Sequence, residues 1–155
     1  MQKLRFLASR EAKQMLDRIQ EQWGAELHHM LGSFGLAMSS QEKVYMINKD
    51  FAKLDAQKLR IDSLGMYFAE VKGGSLRLSI EGAQLVGPRA TKNVAELNEQ
   101  ELQQWLRGED LEKKGDWQNF VIVAYNKDFV GSGKYKEGII YNFVPKIRRV
   151  KELII

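Results

Sequence analysis

Apolar residues recur every three or four positions from Arg10 to Trp23, which is the spacing of one buried face of an α-helix. Ser9 is predicted to cap the start of this helix and Gly24 to end it. The residues of the apolar face are Ala12, Met15, Leu16, Ile19 and Trp23. The next residues, 25–41, mix apolar side chains with two glycines, and we predict a loop or a broken helix there.

A change to alternating periodicity predicts a β-hairpin later in the first half. The segments 66–71 and 76–80 are joined by a glycine pair, and the positive φ that glycine tolerates suits a tight turn. The residues predicted to face the core are Leu76, Leu78 and Ile80. Arg77 and Ser79 alternate with them and are predicted to face solvent.

Three shorter elements are predicted around this hairpin. Val44 to Ile47 is an apolar run of strand length, Asp50 to Leu54 suits one helical turn, and Glu81 to Val86 suits a short helix. Gly87-Pro88 is the best chain breaker between two structured segments, so we place a domain boundary there. The predicted domains are residues 1–87 and 88–155.

The clearest local signal of the second half is the start of a helix. Asn98 and Glu101 have the spacing of a capping box, in which each side chain binds the backbone N–H of the other residue. Leu97 and Leu102 have the spacing of a hydrophobic staple, and Arg107-Gly108 is predicted to end the helix. The predicted buried face consists of Leu102, Trp105 and Leu106.

Short apolar segments separated by glycine and asparagine turns follow this helix. Phe120 to Tyr125 is rich in β-branched and aromatic residues, and a polar turn follows at 126–128. Phe129-Val130 and Gly138 to Val144 suit further strands. One helix followed by such strands predicts a small β-barrel.

Composition narrows the chemistry. The chain has 155 residues, of which 44% are hydrophobic and 28% charged, as expected of a globular protein. It has no cysteine, which excludes disulfides, thiolate metal sites and cysteine nucleophiles. That absence fits a reducing cytoplasm, and we see no apolar run of the length of a signal peptide or membrane span, so we expect a cytoplasmic protein.

The net charge of +4 is concentrated near the C-terminus. The stretch from Lys134 to Glu152 contains six basic and two acidic residues, which accounts for the whole excess. These basic residues are Lys134, Lys136, Lys146, Arg148, Arg149 and Lys151. Concentrated positive charge favours a polyanion-binding face, and the alternative is a solvated strand edge protected by lysines.

Four segments of the second half form an ordered set. They are Leu97 to Asp110 (LNEQELQQWLRGED), Val121 to Tyr125, Val130 to Lys134 (VGSGK) and Asn142 to Arg149 (NFVPKIRR). Together they resemble the PUA-like domain appended to Sun-family RNA cytosine methyltransferases, over about Asn93 to Lys151. The resemblance implies a pseudobarrel that docks structured RNA and supplies no chemistry.

The sequence departs from that family in its catalytic features. It has neither the cysteine nucleophile nor a glycine-rich loop for S-adenosylmethionine, so we expect no enzyme activity and no cofactor. The layout is similar to small archaeal proteins in which a pre-PUA half precedes a PUA domain, as in ribosome-assembly factors. The predicted fold class is therefore α+β, with an N-terminal α/β pre-PUA-type domain followed by a small PUA-like β-barrel with one capped helix.

Three further motifs favour structural roles over chemistry. The segment Gly131 to Lys134 lacks the flanking glycine and hydroxyl residue of a phosphate loop, so its glycines indicate either a β-bend that RNA can approach or a hairpin turn. His28-His29 has no third ligand nearby, and we expect no metal. Glu109, Asp110 and Glu112 follow a helix end without a partner base, and Asp110 is interpreted as a hydrogen-bonding residue of the turn.

The candidate RNA-binding residues follow from the charge and from the resemblance. We expect an extended stretch after Pro145, which would place Lys146 and Arg148 on one side and Arg149 on the other. Tyr135 is expected to be accessible for stacking, whereas Trp105 and Tyr125 are expected inside. The full predicted set is Lys134, Lys136, Lys146, Arg148, Arg149, Gly131, Gly133, Tyr135, Arg107, Arg89 and Lys92.

The sequence thus predicts a protein that docks structured RNA, either tRNA or rRNA, in RNA modification or ribosome assembly. The mechanism would be electrostatic and shape-based, without a membrane and without a metal. The alternative is an accessory subunit that contacts a methyltransferase or an assembly factor through the apolar stretch Ala25 to Met38.

Overall fold

The structure, a computed structural model, describes residues 4–49 and 65–149. The strands are β1 Leu4–Phe6, β2 Phe34–Ser39, β3 Lys43–Asn48, β4 Gly65–Lys72, β5 Ser75–Leu78, β6 Val94–Glu96, β7 Leu111–Glu112, β8 Asn119–Tyr125, β9 Asp128–Lys136 and β10 Ile139–Asn142. The α-helices are α1 Ser9–Trp23, α2 Ile80–Val86 and α3 Glu99–Leu106. Short 3-10 turns span His28–Gly32, Gly87–Arg89 and Lys146–Arg148. The helical turn predicted at 50–54 lies outside the described residues, as does Lys151.

The strands form two five-stranded sheets. The first has the order β1-β2-β3-β4-β5, with every neighbouring pair antiparallel. The second has the order β6-β8-β9-β10-β7, in which β6 runs parallel to β8 and the other pairs are antiparallel. One of the two sheets curls into half of a barrel, and the predicted α+β fold class is confirmed.

Helix α1 buries the predicted apolar face, and Gly24 ends it with a φ of 71°. The predicted start is wrong by one residue, because Ser9 is the first helical residue and Ala8 occupies the cap position. The cap works without a hydroxyl. Glu11 accepts the backbone N–H of Ala8 at 3.2 Å and forms an ion pair with Arg5 at 3.0 Å. The hydrogen bond from the Arg5 side chain and that from the Ala8 N–H hold the pKa of the Glu11 carboxyl below its ordinary value.

Residues 25–41 contain the strand β2, so the predicted loop or broken helix is wrong for Phe34–Ser39. After the 3-10 turn, β2 pairs with β3, and Gly35 lies opposite Ile47. Leu36 and Ala37, which follow this glycine, are buried. Glycine weakens a strand on its own, but burial in a sheet interior outweighs that local preference.

The β4–β5 hairpin has the predicted glycine turn, with φ values of 57° and 82°. Leu76 and Leu78 face the core as predicted. Ile80 begins helix α2, because β5 ends at Leu78, and it packs half-buried against the core that contains Trp105. Ser79 caps that helix by accepting the N–H of Gly82 at 2.9 Å, so its predicted solvent-facing role is wrong. Serine is a preferred cap residue, and Ser79 therefore caps helix α2 instead of extending strand β5.

Helix α3 begins with the predicted capping box. Asn98 Oδ1 accepts the N–H of Glu101 at 2.8 Å, and Glu101 Oε1 accepts the N–H of Asn98 at 3.0 Å. Trp105 is fully buried, and its Nε1 donates to the carbonyl oxygen of Val130 in β9 at 3.0 Å. The two leucines of the predicted buried face are only half-buried. Trp105 therefore anchors the helix to the second sheet.

Two apolar cores lie on opposite faces of the second sheet. Phe120 and Ile122 of β8 pack into the core that α1 and the first sheet form. Val121, which points to the other face, packs with Trp105. The second sheet is therefore covered by the first half of the chain on one face and by α3 on the other.

Candidate nucleic-acid interface

The two glycines of the predicted RNA-binding segment lie inside strand β9. The pairing of β8 with β9 shifts between Ile122 and Ala124, and a β-bulge results at Gly131, where φ is +127°. Gly133 is buried, and a Cβ there would lie 2.8 Å from Cη2 of Trp105. The hairpin-turn alternative is therefore wrong. The positive φ accounts for Gly131, and close packing against Trp105 accounts for Gly133.

Lys134 lies on the opposite face of β9, at the junction of the two halves. Its Nζ donates to Oδ1 of Asn119 at 2.7 Å and lies 4.9 Å from the ring centroid of Phe120. Nδ2 of Asn119 in turn donates to Oγ of Ser75 in β5 at 2.5 Å. Two residues of β8 thus hold this lysine, one of them bonded to the first sheet, while leaving it partly exposed.

Two exposed aromatic rings lie next to Lys134. Tyr141 of β10 is directly opposite Lys134 in the ladder, so the two side chains share one face of the sheet. Tyr141 is 38% exposed and Phe143 is 40% exposed. The ring of Phe143 contacts that of Phe120, with 6.2 Å between centroids. Exposed rings beside cations are typical of nucleic-acid-binding surfaces.

Arg77 of β5 brings a cation of the first half to the same place. Its guanidinium carbon lies 4.5 Å from the ring centroid of Phe143, which is a cation–π contact. Its Nη2 donates to Oε2 of Glu70 at 2.6 Å. The prediction that Arg77 faces away from the core agrees with this contact, but Arg77 is not among the predicted RNA-binding residues. No local pattern could show that Phe143, far along the chain, lies over it.

Glu70 is the buried anion that orients Arg77. Burial raises the pKa of its carboxyl, but the hydrogen bond from Lys72 and the charge of Arg77 outweigh this effect, and the pKa lies below its ordinary value. Nζ of Lys72 is 3.0 Å from Oε1 of Glu70. Glu70 is consequently ionised at neutral pH and fixes the guanidinium in one orientation.

A narrow cleft of ≈ 90 Å³ opens between this hairpin and the segment after β10. Phe143 and Arg148 line it together with Arg77. Arg148 forms an ion pair with Glu81 of α2 and is exposed. We name the surface around this cleft the seam patch; its residues are Lys72, Arg77, Lys134, Tyr141, Phe143 and Arg148.

The segment after Pro145 is not extended as predicted, because Lys146–Arg148 form a 3-10 turn. With three residues per turn, the alternation that would place Lys146 and Arg148 on one side does not apply. Arg149 folds back, and its Nε donates to the carbonyl oxygen of Val144 at 3.0 Å. Lys136 and Lys146 are exposed.

Three of the predicted RNA-binding residues lie away from the seam patch. Arg107 ends α3, on the other face of the second sheet, and pairs with Glu109 at 2.6 Å. Arg89 and Lys92 precede β6, which forms one edge of the second sheet. The neighbouring strands β10 and β7 lie at the opposite edge. The structure therefore divides the predicted set between three locations.

The aromatic predictions have mixed outcomes. Tyr135 is not the accessible ring expected, because it packs edge-on against Trp117 with 5.4 Å between centroids. Its hydroxyl also accepts the backbone N–H of Gly115 at 3.3 Å. Trp105 is buried as predicted, but Tyr125 is only half-buried. The exposed rings next to Lys134 are Tyr141 and Phe143, and neither belongs to the predicted RNA-binding set.

The described residues contain no group of three or more His, Cys, Asp or Glu arranged to hold a metal ion. His28 instead lies between two carboxylates, with Nε2 at 2.6 Å from Asp17 and Nδ1 at 2.7 Å from Glu26. Burial lowers the pKa of His28, but these hydrogen bonds outweigh burial and raise the pKa above its ordinary value. Asp110 accepts the N–H of Asn142 at 2.8 Å, which confirms its structural role.

Within the same described residues, no helix has the length and apolar character to cross a membrane. The architecture is instead that of a PUA domain protein. The solved structure of a conserved PUA domain protein from Thermoplasma acidophilum matches with a TM-score of 0.62, at 16% sequence identity, over 95% of this chain and 98% of that chain. This likeness shows the fold.

The second half of the chain is similar to a particular kind of PUA domain. Residues 92–150 match the family model described as the methyltransferase RsmF PUA domain, which confirms the predicted resemblance to the Sun-family domain. That model is one of a PUA domain and not of a catalytic domain.

Relatives of known name are bacterial ribosomal RNA small subunit methyltransferases F. The protein of Aeromonas salmonicida is 27% identical over 143 residues, which are 90% of this chain and 28% of that protein. The Erwinia tasmaniensis protein is 25% identical over 84% of this chain and 28% of its own length. The Vibrio cholerae protein is 24% identical over 74% of this chain and 26% of its own. The chain thus spans little more than a quarter of the curated relatives it matches.

Proposed function

We propose that this protein binds structured RNA, either tRNA or rRNA, through the basic surface of its C-terminal half and acts in RNA modification or ribosome assembly. The observation that carries the proposal is the seam patch, where Lys134 and Arg148 flank the exposed rings of Tyr141 and Phe143. Cations contact phosphates and fix the register, while aromatic rings contact bases. The relatives' printed names, which refer to ribosomal RNA, support the same class of partner.

The proposed role is docking without catalysis. A methyltransferase or an assembly factor would supply the chemistry at the RNA that this protein holds. We propose that domain 88–155 provides most of the contacts and that domain 1–87 supports it. Exposed Lys136 and Lys146 would extend the surface along the RNA backbone.

The test is RNA binding measured by fluorescence anisotropy at several salt concentrations, with tRNA and ribosomal RNA fragments. Neutralising about four or five phosphates gives a log–log salt slope of roughly −3 to −5. The double variant Lys134→Glu, Arg148→Glu should abolish this salt-dependent binding. The matched control is Arg10→Glu, Lys13→Glu, which makes the same change in net charge on exposed positions of α1. Full affinity in the first double variant would refute the assignment.

The alternative function is that of an accessory subunit that binds another protein. The apolar side chains of the contact surface predicted for it, Ala25 to Met38, are buried or half-buried. Ala25, Leu27, Leu36 and Ala37 are buried, so the stretch Ala25 to Met38 supplies core side chains and not a contact face. Purification after ribonuclease treatment separates the two functions. A stable protein partner that remains without RNA, combined with no RNA binding at low salt, would favour the alternative.

A further inference from the structure

We propose that the N-terminal half takes part directly in binding, by holding Arg77 against Phe143 as a platform on which an unpaired nucleobase stacks. This inference rests on the proposed RNA-binding function and specifies the kind of RNA: a helix with an unpaired nucleotide at or beside its end.

The first observation is the setting of Phe143. One part of its ring contacts Phe120, which is buried in the core of the first half, and Arg77 covers another part. The ring nevertheless remains 40% exposed. The exposed part of the phenyl ring is apolar surface in contact with water. A nucleobase that stacked on the ring would cover that surface.

The second observation is the fixed orientation of Arg77. Its side chain is 22% exposed, and its guanidinium is held by Glu70 at 2.6 Å while lying over the Phe143 ring. A planar guanidinium stacks on bases as aromatic rings do, and one that is already oriented loses little conformational freedom on binding. Glu70 therefore acts as a positioning residue for the platform.

The third observation is the charge around the platform. Lys72, Lys134 and Arg148 are at least partly exposed, and the carboxylates of Glu70 and Glu81 are already paired with cations. The four cations of the seam patch outnumber these two carboxylates. A phosphate on either side of a stacked base would therefore meet positive charge.

These observations favour RNA over an acidic peptide as the occupant. Carboxylate side chains would satisfy the cations, but they would leave the rings of Tyr141 and Phe143 uncovered. A nucleotide provides both the negative charge and the flat apolar surface.

The experiment compares a blunt RNA hairpin with the same hairpin carrying a short unpaired extension that contains 2-aminopurine. Wild type should bind the extended RNA more tightly, and stacking should quench the 2-aminopurine fluorescence. Phe143→Leu keeps apolar contact with Phe120 but removes the aromatic face. It should lower affinity for the extended RNA about 5- to 150-fold, the range that base–aromatic stacking covers, and leave the blunt hairpin unchanged.

Two further variants complete the design. Arg77→Lys keeps the positive charge next to Glu70 but removes the planar guanidinium, and it should reduce quenching in the same direction. Phe6→Leu is the matched control, because Phe6 is 44% exposed but lies in β1, at the edge of the first sheet opposite to β5. It should affect neither RNA.

Each outcome has one meaning. Equal affinity of wild type for the two RNAs, or equal loss for both in Phe143→Leu, would overturn the platform while leaving RNA binding intact. Competition by poly-glutamate as effective as competition by the extended RNA would also overturn it and point to a general polyanion surface. Failure of the proposed function itself would be distinct, because neither RNA would then bind in a salt-dependent way.

Discussion

Gly133→Ala tests whether the glycine-rich segment of β9 serves packing. A Cβ at this position would lie 2.5 Å from the carbonyl oxygen of Tyr141, 2.7 Å from Cγ2 of Ile140 and 2.8 Å from Cη2 of Trp105. The first is a backbone atom, and the other two belong to fully buried side chains, so none can move aside freely. Overpacking of this kind costs about 1–3 kcal/mol, and the backbone contact places the expected loss at about 2–3 kcal/mol.

The measurement is urea unfolding followed by tryptophan fluorescence, with thermal unfolding as a second readout. A loss of that size lowers Tm by roughly 4–12 °C in a chain of this length. Gly35→Ala is the matched control, because Gly35 also lies within a strand but has open space where the Cβ would be. Unchanged stability of Gly133→Ala together with weaker RNA binding would refute the packing explanation and show that the glycine admits RNA.

Four other changes test separate parts of the structure. Trp105→Phe leaves the carbonyl oxygen of Val130 without its donor and should lower the free energy of unfolding by about 2–3 kcal/mol in urea titrations. Asn98→Ala removes the cap of α3 and should cost about 1 kcal/mol in the same assay, whereas no change would contradict the capping box. Because the two flanking carboxylates raise the pKa of His28, its stabilisation is present below pH 6.5 and is lost as pH rises above 6.5 through the raised pKa. His28→Gln should remove this fall in stability, measured by urea unfolding over a pH series. A fragment of residues 88–155 should unfold at lower urea than the whole chain, since it exposes the face of β8 that the first half covers; equal midpoints would show an independent domain.

Elements defined by local chemistry were predicted well. The face of α1 and the capping box of α3 depend on residues within one or two helical turns, so their spacing in the sequence carries the information. The strand β2 was missed because its glycine and methionine content gives no alternating pattern, and only pairing with β3 stabilises it. Ser79 was assigned to a strand because a strand end and a helix cap differ by one residue, and tertiary packing decides between them.

The binding surface was predicted only in part, for a different physical reason. Lys134 and Arg148 were found because concentrated charge is visible in composition. Arg77 and Phe143 were not, since their contact joins positions that are far apart in sequence and that become neighbours only through packing of the two sheets. Tyr135 was expected to be accessible because it stands between Lys134 and Lys136 in the sequence, but its ring lies on the face of the second sheet that packs with Trp105 and Trp117.

The position of the seam patch also explains why the two halves of this chain belong together. Phe120 contacts Phe143 and Lys134 of the patch, and it is buried by the first half. Asn119 holds Lys134 and is itself bound to Ser75 of β5. The surface that would meet RNA is consequently not a property of the PUA-like half alone, because its lysine, its phenyl ring and its arginine are oriented by contacts that the N-terminal half supplies.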